Sequence, residues 1–178
     1  NEGSVNASSG YWERGIPTGT LLNTASSGSN VYGTNLDGNY LDSMKAYLIS
    51  ECYDLSILAN PALKFNMSFD LEENWDVIYV EYSIDSGQSW NVLGSATDLT
   101  WYNSDRTNAS SGDLDDCQNC PGAQWTGTDT TMQPYSYNLA TLNSETNIIF
   151  RFVFHSDQFK NQEGVIIDDL IVEGTTLS

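Results

Sequence analysis

Two adjacent aspartates near the C-terminal end are the residues of this sequence best suited to hold a metal ion. Asp168 and Asp169 interrupt the apolar run 165–172, which predicts a strand. Adjacent strand residues point to opposite faces, so at least one carboxylate is expected among apolar neighbours, where an unpaired charge is strongly unfavourable. Carboxylate and carbonyl oxygens suit Ca²⁺, so we predict a structural calcium ion at Asp168 and Asp169. The alternative is that both lie at the mouth of the strand, solvated or bonded to turn amides.

Three further acidic residues are candidate ligands for the same ion. Glu72 and Asp76 follow the alternating segment 63–71, and they form either a ligand cluster near a sheet end or a solvated acidic corner. Glu13 lies in the predicted first strand, which a jelly roll would bring beside the last strand. Glu13 is therefore a candidate partner of Asp168.

A long polar segment, 98–134, carries aromatic residues that could bind sugar. Trp and Tyr rings stack on the apolar faces of pyranose rings, while neighbouring polar side chains bind the hydroxyls. The predicted ligand-binding set in this segment is Trp101, Tyr102, Asp105, Arg106 and Trp125. The alternative is that the rings fix the loop to the body of the protein as small satellite cores.

The three cysteines predict a disulfide rather than a zinc site. A structural zinc ion needs about four nitrogen or sulfur ligands, and the chain offers three Cys and one His that are far apart in sequence. Cys117 and Cys120 form a C-x-x-C pattern in loop-like surroundings. We expect a tight Cys117–Cys120 disulfide, or else a long bridge from Cys52 to one of them.

The residue pattern gives little support for catalysis. The consecutive residues 155–157 read His-Ser-Asp, but neighbours at a strand end cannot hold nucleophile, base and orienting group in relay geometry. Segment 83–90 matches the S-x-D-x-G-x-[ST]-W box of sialidases, yet the chain is too short for a propeller and has only three Arg. We expect this box to be a structural hairpin turn and the chain not to be an enzyme.

Composition and charge exclude several other classes of function. The 178 residues carry 24 acidic and 6 basic side chains, a formal charge of −18. Nothing in such a chain could neutralise a row of phosphates, so nucleic-acid binding is excluded and docking on anionic membranes is disfavoured. No apolar run approaches the ~18–20 residues that span a bilayer, so we expect no membrane insertion. The acidic, Lys-poor composition favours a secreted protein. The opening residues Asn1, Glu2 and Gly3 read like the interior of a longer chain, so we expect one domain, 1–178, excised from a longer secreted protein.

The elements that must position these residues are strands. Apolar residues alternate without fault over 63–71, and the segments 77–82, 148–155 and 165–172 are also strand-like. Short strands with long connections predict an all-β fold, a two-sheet antiparallel β-sandwich of the jelly-roll type. An immunoglobulin-like sandwich is the alternative, but its Cys-Trp-Cys framework is missing.

Several of these motifs, in this order, resemble one family. Segments 34–40, 47–50, 80–90, 101–103, 150–157 and 163–169 resemble the MAM-like jelly-roll modules of secreted Bacteroidetes proteins, which are similar to the cleaved-adhesin domains of gingipains. The resemblance implies a non-catalytic part of a large chain exported by type IX secretion. It also implies a calcium-ligand role for Asp168 or Asp169. The D-x-D-x-D-G calcium loop of the gingipain domains and the paired cysteines of animal MAM domains are absent.

These observations lead to one functional hypothesis and one alternative. The hypothesis is a calcium-stabilised, extracellular accessory module that binds a polysaccharide or cell-surface polymer through its long loops. The alternative is a structural spacer that supports a neighbouring peptidase or glycan-degrading domain of the same chain.

Overall fold

The computed structural model describes residues 6–7, 12–98, 100–107 and 117–177. In this part of the chain, ten strands and one short 3₁₀ turn, Ala140–Leu142, make up the regular structure. The strands are β1 Asn6–Ala7, β2 Glu13–Gly15, β3 Val31–Gly33, β4 Lys45–Tyr53, β5 Leu58–Asp70, β6 Val77–Ser83, β7 Asn91–Val92, β8 Thr128–Asn138, β9 Ile148–His155 and β10 Gly164–Thr176.

The strands form two antiparallel sheets of five strands each within the described residues. The first sheet has the order β1-β4-β9-β6-β7, and the second has the order β2-β3-β10-β5-β8. Both sheets mix strands that are distant in sequence, so the sandwich closes through long-range pairing. The predicted all-β, two-sheet sandwich is confirmed.

The core lies between the sheets because the inward positions of the long strands are apolar. On β5, Leu63, Phe65, Met67 and Phe69 are buried, as their alternation predicts. Phe65 meets Phe152 of β9 edge-to-face, with ring centroids 4.8 Å apart. These contacts between β5 and β9 join the two sheets.

The outer face of the second sheet is partly covered by the segment that joins β2 to β3. Leu22 of this segment packs with Val31 and Ile166 in a small separate apolar cluster. The carboxylate of Glu163 holds the segment in place by accepting bonds from the backbone N–H groups of residues 20–22, at 2.8–3.0 Å. The connection is therefore a fixed cover of the sheet.

One detail of the expected strand arrangement is wrong. Glu13 was expected in a strand beside the last one, but β2 pairs with β3, and β3 lies between β2 and β10.

No helix among the described residues is long and apolar enough to cross a membrane.

Candidate ligand-binding cleft

The three aromatic residues expected to stack on sugar lie in the core instead. Trp101, Tyr102 and Trp125 are only 3%, 6% and 1% exposed. Their ring centroids lie within 4.5–5.6 Å of one another, and Trp125 also contacts Phe65 edge-to-face. The prediction that these rings stack on a ligand is wrong in this fold, because no ring face is open to solvent. The alternative, that the rings fix the loop to the body of the protein, is closer, but they do so as part of the main core and not as satellite cores.

The polar atoms of these rings are satisfied inside the protein. The Trp101 Nε1–H donates to the Leu93 carbonyl at 2.9 Å, and the Tyr102 hydroxyl donates to the same oxygen at 2.8 Å. The Trp125 Nε1–H donates to the Trp101 carbonyl. Buried Trp and Tyr side chains that reach a partner in this way fix a loop firmly. The long polar segment is thus anchored by its aromatic residues.

The two charged members of the predicted set lie at the surface end of the same segment. Asp105 is exposed, and Arg106 is half-buried. The Arg106 guanidinium lies over the ring of Trp75, 5.3 Å from its centroid. This places Arg106 against a residue that sequence analysis did not select.

Asp168 and Asp169 are not buried among apolar side chains, as one of them was expected to be. Asp169 is exposed, with a φ of +51°, and the pairing of β10 with β5 is irregular between Asp168 and Ile171. Asp168 Oδ2 accepts bonds from the backbone N–H groups of Ser26 and Ser27, at 2.8 and 3.0 Å. Asp169 accepts bonds from the Ser27 hydroxyl and the Asn66 amide. The bulge breaks the strict alternation on which that expectation rested.

The predicted metal ligands do not converge. Glu13 accepts the backbone N–H of Leu36 at 3.1 Å, and Glu72 and Asp76 belong to a different region from Asp168. Among the residues that the structure describes, no group of three or more His, Cys, Asp or Glu side chains is arranged to hold a metal ion. The described acidic side chains therefore do not by themselves supply the six to eight oxygen ligands that Ca²⁺ takes.

A cleft of about 320 Å³ lies beside Glu72 and combines aromatic, acidic and amide side chains. Its volume is within the range of small-molecule sites. Phe159 is 67% exposed, the largest exposed fraction among the large apolar side chains of the described residues, and Trp75 is half-buried. The cleft is lined by Glu72, Trp75, Gln118, Asp157, Gln158 and Phe159.

The first wall of the cleft is the tight turn between β5 and β6. The backbone N–H groups of Trp75 and Asp76 both donate to the Glu72 carbonyl, at 3.2 and 3.0 Å. The Thr126 hydroxyl accepts the Asn74 N–H at 2.9 Å and donates to the Asp76 carbonyl at 2.8 Å. This turn holds Trp75 at the surface while its neighbour Asp76 is fully buried.

The second wall is the connection between β9 and β10. The buried Asp76 carboxylate accepts the Asp157 N–H at 2.8 Å and the Tyr40 hydroxyl. Asp157 in turn accepts the N–H of Phe159 at 2.8 Å. A chain of hydrogen bonds therefore runs from the buried Asp76 to the exposed Phe159 and fixes one wall relative to the other.

The third wall is the short loop closed by a disulfide. Cys117 and Cys120 are bonded, which confirms the predicted tight pairing, and Cys52 is free and exposed. Gln118 lies between the two bonded cysteines, so the disulfide limits the positions that its amide can reach.

Two carboxyl groups of this region have perturbed titration behaviour. Burial, and after it the neighbouring Asp157 charge, raises the pKa of Glu72, which Lys160 partly offsets from 3.7 Å. Burial raises the pKa of Asp76 to about 6, although its bonds from Tyr40 and Asp157 act in the opposite direction. Negative charge is therefore concentrated and incompletely hydrated on one side of the cleft.

Sequence reasoning found part of this cleft and missed its aromatic residues. Glu72 was selected, and Asp157 was considered only within the 155–157 triplet. Trp75 carried a usable signal, because it stands in an acidic turn directly after a strand. Phe159 carried a second usable signal, because it is a large apolar residue in an otherwise polar loop, where it does not favour solubility.

The two motifs judged to be structural have structural roles. Asp85 accepts hydrogen bonds from the Ser89 hydroxyl, the Ser89 N–H at 2.9 Å, the Ser83 hydroxyl at 2.7 Å and the Gln88 N–H at 3.0 Å. These bonds, that of the Ser89 hydroxyl first, lower the pKa of Asp85 to about 2. The Ser156 hydroxyl bonds the backbone of residues 41 and 44, and the His155 ring stacks on Tyr79. Segment 83–90 is therefore a structural turn, and residues 155–157 do not form a catalytic relay.

No family model matches the chain. Among curated proteins, it is similar to bacillopeptidase F of Bacillus subtilis (strain 168), with 27% identity over 161 residues. The matched region is 90% of this chain but only 9% of bacillopeptidase F, so the chain spans a small part of that protein.

Solved structures that are similar to this chain include two cleaved adhesin domains and TmCBM61, all at low sequence identity. The K2 cleaved adhesin domain of Lys-gingipain is similar with a TM-score of 0.49 and 16% identity, covering 96% of this chain and 88% of that one. The K1 cleaved adhesin domain from Porphyromonas gingivalis W83 has a TM-score of 0.47 and 11% identity, covering 97% and 99%. TmCBM61, solved with β-1,4-galactotriose, has a TM-score of 0.47 and 10% identity, covering 97% and 88%.

Proposed function

We propose that this chain is a non-catalytic binding module of a larger exported protein, and that it binds a glycan in the cleft between Trp75 and Phe159. The observation that carries the proposal is the composition of the cleft. A half-buried indole and an exposed phenyl ring stand beside two carboxylates and two carboxamides. Aromatic surface with a few placed polar groups is the usual make-up of a specific small-ligand site.

The proposal moves the ligand site away from the residues that the sequence favoured. Trp101, Tyr102 and Trp125 are buried in the core, whereas Trp75 and Phe159 are the aromatic side chains that a ligand can reach. The similarity to 9% of bacillopeptidase F supports a place within a larger protein. The alternative, a structural spacer, needs no ligand and gives no role to the exposed ring of Phe159.

Affinity gel electrophoresis with a panel of neutral, acidic and aminated polysaccharides tests this function. We expect at least one polymer to retard the domain, and Trp75→Ala and Phe159→Ala each to reduce that retardation at least tenfold in apparent affinity. Ile57→Ala is the matched control, because Ile57 is 53% exposed and lies next to the opposite end of β5 from the cleft. It should bind as the parent does.

Three results would contradict the proposal. Migration unaffected by every polymer would favour the spacer role. Equal weakening by Ile57→Ala and Phe159→Ala would mean that general surface apolarity drives retention. Release of reducing ends from a polymer by the isolated domain would show that the module is catalytic.

Calcium stabilisation remains a prediction that stands apart from the cleft. A ligand that binds only the folded state raises the melting temperature. If the ion is structural, a chelator should lower the Tm and added Ca²⁺ should restore it, with Asp168→Asn abolishing the response. An unchanged Tm in chelator would remove calcium from the description of this module.

A further inference from the structure

The charges around the cleft are strongly one-sided. Of the six side chains that line it, Glu72 and Asp157 are carboxylates and none is basic. The buried carboxylate of Asp76 lies directly beneath, bonded to the backbone of Asp157. The chain as a whole carries a formal charge of −18, so no distant excess of positive charge offsets this local field.

Lys160 is the basic side chain that the described residues bring within 4 Å of Glu72, and it pairs with Glu72 incompletely. Lys160 lies 3.7 Å from Glu72, but its side chain is 66% exposed, whereas that of Glu72 is 16% exposed. An exposed lysine paired at this distance contributes little, because water and salt screen it. Arg106 lies against the ring of Trp75 and is not among the lining residues. Glu72 therefore has acceptor capacity that a ligand cation could use.

We propose that this cleft selects glycans that carry protonated amino groups, with oligomers of glucosamine as the representative ligand, over neutral and acidic glycans. The inference rests on the glycan-binding function proposed above and adds the charge of the ligand. An ammonium group would form a charge-assisted hydrogen bond to Glu72 and displace Lys160 from it. The aromatic rings of Trp75 and Phe159 would contact the sugar ring, and the ring of Phe159 would attract the cation. A uronic acid would meet like charge, which is costly at a partly desolvated site.

Isothermal titration calorimetry with matched tetrasaccharides tests the charge preference. The probes are the glucosamine tetramer, its fully N-acetylated counterpart, cellotetraose and tetragalacturonate, at pH 6 and low salt. The first two share a backbone and differ in charge at the amino groups. We expect the glucosamine tetramer to bind at least tenfold more tightly than the other three, and its affinity to fall as salt is added.

Charge variants assign the preference to Glu72. Glu72→Gln should weaken binding of the glucosamine tetramer about tenfold, and Lys160→Gln should strengthen it, because its competing ammonium is gone. Glu51→Gln is the control, because it changes the formal charge of the protein by the same amount. Glu51 is exposed and lies near one end of β4. The other end of β4 begins at Lys45, which pairs with His155, two positions before the lining residue Asp157. Glu51→Gln should leave the affinity unchanged.

The outcomes separate this inference from the function on which it rests. Tight binding of cellotetraose or the N-acetylated oligomer, unaffected by Glu72→Gln, would overturn the charge preference and keep the glycan site. Weakening by Glu51→Gln equal to that by Glu72→Gln would also overturn it, because net charge would then explain the effect. Binding of pentalysine with no binding of any saccharide would overturn both and identify a site for basic peptides.

Discussion

Two groups of aromatic side chains in this protein have opposite surroundings. Trp101, Tyr102 and Trp125 are buried and bonded to backbone carbonyls, while Trp75 and Phe159 line an open cleft. The buried group comes from the long polar segment that looked most like a ligand-binding loop. The exposed group comes from two short turns in which the sequence analysis selected or considered acidic residues but not the aromatic ones. The difference teaches that aromatic residues in polar loops mark either an anchor or a site, and that sequence alone does not separate the two.

The largest expected effect comes from removing an anchor. Trp125→Ala deletes a fully buried indole that contacts Phe65, Trp101 and Tyr102, and such deletions cost about 3–5 kcal/mol in unfolding free energy. Trp75→Ala, the matched change in the cleft, should cost less than about 1 kcal/mol because the ring is partly in water. Urea unfolding of both variants measures the contrast. Equal losses would mean that Trp75 is a core residue, and the comparison would fail.

The second prediction concerns pH. The walls of the cleft are held together by the titratable carboxylate of Asp76, whereas the buried rings are held by backbone carbonyls, which do not titrate. The pKa of Asp76 is about 6 in the folded state and is lower when the chain unfolds, so the folded state holds the proton more tightly. Stability from this group is greatest at low pH and is lost as the pH rises from about 4 to about 6, by up to about 3 kcal/mol. Tyr40, Asp157 and Glu72 are the titratable groups that face it.

His155 acts in the opposite direction over nearly the same pH range. Burial, and to a smaller extent Lys45, lowers the pKa of His155 to about 4. Its contribution to stability is therefore lost as the pH falls below about 6.5, the ordinary value for histidine. Urea unfolding at pH 4, 5, 6 and 7 separates the two groups. In Asp76→Asn, the free energy of unfolding should rise more steeply with pH than in the parent. In His155→Gln, it should rise less steeply than in the parent. A variant whose curve of unfolding free energy against pH runs parallel to that of the parent would contradict the prediction for that residue.

The smallest expected effect concerns the disulfide next to the cleft. The Cys117–Cys120 bond closes a very short loop, and the loop-entropy estimate for such a bridge is about 2 kcal/mol or less. Cys117→Ala/Cys120→Ala should therefore destabilise the fold modestly and weaken ligand binding, because Gln118 is released. Unfolding and binding are measured with and without reductant. Cys52→Ser is the control and should respond to reductant as the parent does. If the double cysteine variant lost as much unfolding free energy as Trp125→Ala, this estimate would be contradicted.

Local patterns determined much of the fold because strand formation depends on near neighbours. The alternation over 63–71 and the apolar run 148–155 correspond to β5 and β9, since a period of two places one side of a strand in the core. The Asp85 turn was also readable, because all its hydrogen bonds join residues within a few positions. The tight disulfide belongs to the same class of local feature.

The candidate site could not be read in the same way, because it depends on contacts between distant parts of the chain. Asp76 and Asp157 are 81 positions apart, and their hydrogen bond brings the turn with Trp75 beside the loop with Phe159. Trp125 is buried because its backbone bonds Ile78 on β6, and no local pattern specifies that pairing. At Asp169, a bulge broke the alternation that had suggested a buried charge. The sequence by itself determined the strands and the acidic character of the chain, and the tertiary structure decided which aromatic rings and carboxylates meet at an open surface.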